Sequence, residues 1–271
     1  MAPLRGEGAR TIEIRKQKRA DLVAEELKRL ITQKNLRPGD KLPREIALQQ
    51  MFSVSKSTIR EALKSLEVQG LVSVSTGPSG GGTIVEVQLD RTFQLMQNYL
   101  FFKDIGIADI YTARKLLEPE LAAGAVPHLT EEDFAALERT IDQCDPASAA
   151  AIDPLNQRQE DLSFHDILAA ANPNPMLRFC CELINEMIRH LVVFGNDTPT
   201  CEHERFGAAN VKFHKKILAA ARERDVERVR SLMLAHMEEC TRYVTRMNGR
   251  INGRLVLDSE MPRRGKGGRG G

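Results

Sequence analysis

The chain has 271 residues, 42% of them apolar and 28% charged, with a formal net charge of +2, enough length for two domains with separate cores. Five cysteines, an odd count with Cys180 and Cys181 adjacent and no CxxC pair, argue against a disulfide framework and for a reducing compartment. The first residues lack the apolar core of a signal peptide and no run is long and apolar enough to span a bilayer, so a soluble, cytoplasmic protein without membrane contact is expected.

The charge is unevenly divided. Residues 1–90 hold 15 Lys and Arg against 11 Asp and Glu, residues 91–261 hold 20 against 26, and the tail from Pro262 is purely basic. A basic first part suits phosphate contact, and the acidic second part suits a different partner.

Residues 1–14 are expected to form a disordered arm. Over 15–34, Val23, Leu27, Leu30 and Ile31 mark a first helix, with Arg15, Lys16, Lys18 and Arg19 ahead of or at its start. Pro38-Gly39-Asp40 breaks it. Residues 44–52 then predict a short helix with Ile46, Leu48 and Met51 available for burial, and Ser53-Val54 is a bend. Ser55 is placed to cap a second helix whose Ile59, Ala62, Leu63 and Leu66 form one buried stripe, ended by Gly70. Outside that stripe lie Lys56, Ser57, Thr58, Arg60 and Lys64, concentrated in the first turns, where a recognition helix meets base edges and phosphates. Residues 71–75 and 83–87 alternate like strands about the Gly-rich TGPSGGG, which predicts a hairpin wing. The whole of 15–87 is therefore expected to be a winged helix-turn-helix, the alternative being an interaction module that never touches DNA.

Residues 88–91 are expected to be a linker, and no strand signal recurs beyond them. Helical periodicity follows over about 91–103, 107–125, 130–144, 154–171, 175–194, 206–222 and 225–246. Thr130 and Asp225 are candidate caps, and Asn172-Pro173-Asn174-Pro175 is a break. The fold class is thus mainly α: the winged domain followed by an antiparallel bundle of about seven helices over 92–248. Residues 249–271 are expected to be a disordered basic tail.

Polar residues on the apolar stripes of the bundle are the informative ones. His214 lies among Val211, Ile217 and Leu218, and His236 among Leu232, Met233 and Cys240. Both are 11 residues from Asp225, so an antiparallel hairpin brings them to the same height, roughly 16 Å from the turn. Asp161 and His165, four apart, share a face. Three imidazoles and a carboxylate suit Zn²⁺, Ni²⁺ or Mn²⁺; the plainer reading of each histidine is a hydrogen-bonded core residue. His128, His190 and His203 match no such arrangement. Arg114 shares a stripe with Ile107, Ile110, Leu117 and Leu121, so its guanidinium needs an anion. That anion is either the carboxylate of a small effector or an internal one such as Glu118 or Asp161.

The runs PGDKLPRE and VSKSTIREALKSLEVQGLVSV with the Gly-rich turn resemble the GntR family of bacterial transcription regulators. The resemblance implies DNA contacts at Ser55, Lys56, Thr58 and Arg60. Ile46 and Lys56 stand where the family pattern usually has Arg, with Arg44 the candidate substitute for the first of these, so the operator sequence does not carry over. The segments IYTARKLLEPELAAGAV, EDLSFHDILAAANPNPML and FHKKILAAARERDVERVRSLMLAHM resemble the all-helical effector (FCD) domain of the FadR-type branch. That likeness implies a divalent metal at Asp161, His165, His214 and His236, with no ligand position substituted, whereas a metal-free, acyl-CoA-binding type in the branch lacks such a set. It further implies a homodimer on a palindromic double-stranded operator, controlled by a small organic acid and acting most often as a repressor. A metal-dependent hydrolytic enzyme and a regulator with a purely structural metal are the alternatives.

Overall fold

A computed structural model describes residues 18–75, 81–103, 105–145, 147–148, 154–194, 199–247 and 250–251. The arm at 1–14, Arg15, Lys16, the tip of the Gly-rich turn and nearly all of the tail lie outside these described residues. The chain divides into two compact units, Met1–Arg91 and Thr92–Gly271.

In the first unit α1 (Arg19–Gln33), α2 (Glu45–Phe52) and α3 (Lys56–Val68) precede an antiparallel pair, β1 (Val72–Ser75) and β2 (Gly81–Ile84), in register Val72 with Ile84. The α2–α3 turn holds because Ser53 takes a left-handed conformation at φ 52° and the Ser55 hydroxyl accepts the Thr58 amide at 3.2 Å. Ile59, Ala62, Leu63 and Leu66 are buried together with Val23, Leu27, Leu42, Leu48, Val72 and Ile84. Two expectations fail at α2. Leu48 is its sole buried residue, and Ile46 and Met51 are 70% and 51% exposed. On an eight-residue helix a single residue fills the space against α3, and the other two apolar positions fall on the outer faces.

The second wing strand also differs from the expected 83–87, beginning at Gly81 and ending at Ile84. The cause is close packing. A Cβ on Gly82 would lie 2.8 Å from Val72 Cγ1 and 3.0 Å from Leu42 Cδ1, so this glycine lets the strand lie flat on the core. The segment after the Pro38-Gly39-Asp40 turn adds a third edge, with Leu42 N–H donating to Gly82 and Ile84 N–H to Asp40.

The second unit is helical: α4 (Leu89–Leu100), α5 (Ile107–Ala125), a 3₁₀ turn (Val126–His128), α6 (Glu131–Cys144), α7 (Pro154–Ala171), α8 (Pro175–Leu191), α9 (Thr200–Arg222) and α10 (Val226–Arg246). Helix α4 starts at Leu89, so most of the stretch expected as linker is helical, and α9 starts six residues ahead of the expected 206. A strand expectation fails as well: β3 (Val192–Val193) pairs with β4 (Arg250–Ile251). Two-residue strands are too short to leave an alternating pattern.

Helix α10 packs most extensively on α5 and α9, around Phe134, Leu137, Phe164, Leu168, Ile217, Met233 and Met237. The caps expected at Thr130 and Asp225 form, and Asn174, within the expected break, adds a third. Thr130 and Asp133 exchange hydrogen bonds at the start of α6, Asn174 accepts two amides at the start of α8, and Asp225 accepts the Arg228 amide. Arg224, in the left-handed region at φ 58°, makes the α9–α10 turn. Its guanidinium donates to the carbonyls of Val126 and Leu129, fastening that turn to the 3₁₀ segment that follows α5.

Replacing Gly82 with Ala should therefore cost about 1–3 kcal/mol by overpacking, read as a lowered urea midpoint. An unchanged midpoint would show that the wing relaxes freely.

Candidate metal centre and recognition helix

Equal spacing from Asp225 has the geometric result expected of a hairpin. His214 Nε2 and His236 Nε2 are 3.1 Å apart. His165 from α7 joins them, and ligand atoms of the three imidazoles all lie within 4.8 Å of one another, with every ring buried. Aromatic packing fixes the rings: Phe164 stacks on His214 at 3.9 Å between centroids and 4° between planes, and His165 stacks on His236 at 5.4 Å.

Burial and charge keep two members of the cluster in a ligand-ready state. Burial pushes the pKa of His214 well below 6.5, reinforced by His165 and Arg114, and burial with His214 and His165 does the same for His236. Neutral imidazoles retain a nitrogen lone pair, the form that coordinates metal.

The second sphere is built from α5. Arg114 donates through Nε and Nη2 to Glu118 Oε1 at 2.9 and 2.8 Å, and Glu118 Oε2 lies 2.7 Å from His165 Nδ1. Burial opposes the charges of this buried pair, but Glu118 outweighs it at Arg114, whose pKa is raised. His165 and Arg114 likewise hold the Glu118 carboxyl well below its ordinary range. With Nδ1 committed to Glu118, His165 Nε2 is the nitrogen left for the cluster. The anion required by Arg114 is thus the internal Glu118, one of the two options its sequence position left open.

Asp161 is buried but falls outside the three-imidazole group. Its Oδ2 accepts from Asn210 Nδ2 at 2.7 Å, and it lines the same cavity as Tyr111, Arg114, His165, His236 and Cys240. That cavity has about 30 Å³ of free space, room for an ion or a few waters. The donor set fits a divalent metal: three buried imidazoles from three helices, with a carboxylate on the wall. His165, His214 and His236 would hold the ion. One residue and one contact here were missed from sequence alone. Asn210 precedes His214 by one turn on the same face, a signal that was present, whereas the tie of Glu118 to His165 spans 47 positions and left no pattern. Among the other histidines, His128 is exposed and His190 meets Glu186 at 3.2 Å.

In the first unit Ser55, Lys56, Ser57 and Arg60 are exposed at the start of α3, Thr58 is half-buried, and Arg44 is exposed at the N-cap of α2. No acidic residue occupies the first turn of α3, so the positive end of its dipole is uncompensated. Arg60 Nε meets both oxygens of Glu45 at 3.2 and 3.3 Å, which ties α3 to α2 beside Arg44. The Ser55 hydroxyl is engaged locally, with Ser57 and Thr58 as well as the capping amide.

A two-helix reading head with a strand wing in one unit, and a helical unit enclosing an imidazole cluster, define a DNA-binding regulator. The chain belongs to the GntR family: residues 19–85 match the bacterial regulatory proteins of the gntR family, and residues 109–239 match the FCD domain. It is 31% identical over 187 residues to the HTH-type transcriptional regulator LutR of Bacillus subtilis (strain 168), covering 65% of this chain and 83% of LutR. To the HTH-type transcriptional repressor NanR of Salmonella newport (strain SL254) it is 25% identical over 239 residues, 86% of this chain and 87% of NanR. Streptococcus agalactiae GntR shares the fold with a TM-score of 0.58 at 25% identity, covering 82% of this chain and 99% of that one. The protein is a DNA-binding transcription regulator rather than an enzyme. Among the described residues no helix is long and apolar enough to cross a membrane.

Truncating Glu118 to Ala leaves the Arg114 cation buried and unpaired, and should lower unfolding free energy by about 3–5 kcal/mol in a chemical melt. The depressed histidines give a second test on metal-free protein. The unfolded chain gains protons as pH falls through 6.5 and the folded one does not. Stability is therefore complete above that pH and declines below it, by up to about 1.4 kcal/mol per pH unit for each histidine. The slope should flatten in His214→Phe, and an equal slope would assign the acid sensitivity elsewhere.

Proposed function

We propose that this regulator is a repressor. In this reading its operator binding is relieved by a small organic acid held at a divalent metal, Zn²⁺, Ni²⁺ or Mn²⁺, on His165, His214, His236 and Asp161. The observation that carries the reading is the convergence of three buried imidazoles, two of which, on His165 and His236, line a cavity together with Asp161 and Arg114. When bound, the ion supplies a positive charge on which a carboxylate can dock. Arg114, held rigid by Glu118, adds positive potential from the cavity wall. The repressor sense is supported by the likeness to NanR.

The small cavity supports a conformational route. About 30 Å³ of free space is smaller than an organic acid, so in this reading binding moves apart the helices that line it, α5, α7, α8, α9 and α10. An effector shifts the DNA-competent arrangement only by its differential affinity for the two states. In this reading two copies of the chain read the two halves of a palindrome with Lys56, Ser57, Thr58 and Arg60, assisted by Arg44 and by Ser55, which sets the start of α3.

Fluorescence anisotropy with operator DNA, against a panel of small mono- and dicarboxylates, tests the effector. One acid should weaken DNA binding about tenfold or more, within the usual 1–3 kcal/mol of coupling, and lose that effect after chelation. Metal bound with no acid having any effect would favour a purely structural ion. His214→Ala should lose metal by elemental analysis. Arg60→Ala should abolish operator binding while changing stability by no more than about 1 kcal/mol, because its pair with Glu45 is exposed. A large loss of folding would place Arg60 in the core instead.

A further inference from the structure

Cys240 lies one turn beyond His236 on α10 and is buried. Its Sγ is 3.6 Å from His236 Nδ1 and 3.9 Å from Nε2, and it lines the same cavity as His165, Asp161 and Arg114. Nothing in the apolar packing of α10 calls for a thiol directed at an imidazole. Asn210 stands between the two sides of the site, accepting from Cys240 Sγ at 3.5 Å through Oδ1 and donating to Asp161 Oδ2 at 2.7 Å. One amide thus aligns a soft sulfur and a hard carboxylate on the wall of one cavity.

Two of the distances lie near ligand–ligand edges. With Zn–N bonds of about 2.0–2.1 Å and Zn–S of about 2.3 Å, a tetrahedral site has N···N edges of about 3.3 Å and N···S edges of about 3.6 Å. Those values lie close to the 3.1 Å between His214 Nε2 and His236 Nε2 and the 3.9 Å between Cys240 Sγ and His236 Nε2.

We propose that Cys240 is a further protein ligand to the metal, so that the ion is held by a thiolate as well as by imidazoles. This rests on the metal reading above. On binding, the thiol hydrogen bonded to Asn210 is released to solvent as a proton, the sulfur lone pair forms the metal bond, and the Asn210 oxygen is freed. No oxidation state changes. A thiolate favours Zn²⁺ and Co²⁺ over Mn²⁺, which prefers oxygen, so Cys240 biases the site toward the softer ions while Asp161 alone would not.

Cobalt separates this proposal from the reading it rests on. Metal-free protein titrated with Co²⁺ should develop visible d–d bands, which report a bound ion, and a near-ultraviolet thiolate-to-cobalt charge-transfer band, which reports sulfur. Cys240→Ser and Cys240→Ala should keep the d–d bands and lose the charge-transfer band. Their Zn²⁺ affinity should fall about tenfold or more, with Mn²⁺ affinity changed by no more than about a factor of two. The d–d bands double as the check that either variant still forms the site. Visible bands in the wild type without charge transfer, or charge transfer that survives in both variants, would overturn the thiolate ligand and leave the histidine site standing. Absence of both bands would overturn the metal reading together with it.

Discussion

The Arg114–Glu118–His165 chain is the constraint on which the interior of the helical unit depends. A guanidinium, a carboxylate and an imidazole are all withdrawn from water here, a placement that is tolerated only when each charge has its partner at hydrogen-bonding distance. Two of the three sit on α5, four residues apart, and the third comes from α7. Their bonds therefore fix how those helices face one another and which nitrogen of His165 is left over. His214 and His236 arrive on the other pair of helices, α9 and α10, whose turn Arg224 fastens to the 3₁₀ segment that follows α5. The cluster is an outcome of the same contacts that hold the bundle together.

The two units solve different problems with the same local chemistry. In the first, polar groups are kept outside: Ser55 caps α3, Glu45 steadies Arg60, and the buried stripe of α3 is wholly apolar. The result is an exposed, positively polarised helix start of the kind that phosphates and base edges recognise. In the second, polar groups are taken inside and largely bonded to one another, as Arg114, Glu118 and His165 are, which leaves the interior little tolerance for an unpaired charge.

Much of this was legible in the sequence, for identifiable reasons. Period-3.6 stripes, the Ser55, Thr130 and Asp225 caps and the glycine-rich wing are short-range signals, and the elements they announce are present. His214 and His236 were legible as a pair because a hairpin converts equal distance from a turn into proximity. What was not legible is long-range or depends on a missing side chain. Glu118 reaches His165 across two helices, the flat packing of Gly82 is set by Leu42 and Val72, and Ile46 and Met51 are exposed because α2 has room for only one buried residue. The β3–β4 pair joins segments nearly 60 positions apart through strands too brief to show alternation.

The tightness of the cavity lined by Tyr111, Arg114 and Cys240 bears on kinetics as well as on coupling. In the reading proposed above, an organic acid larger than that free space enters as the surrounding helices separate, so internal motion contributes to its capture. Observed association rates should then level off as ligand concentration rises, at a plateau set by the opening rate of the helical unit. A regulator working in that proposed way answers with a delay that belongs to the protein itself, independent of how abundant the ligand becomes.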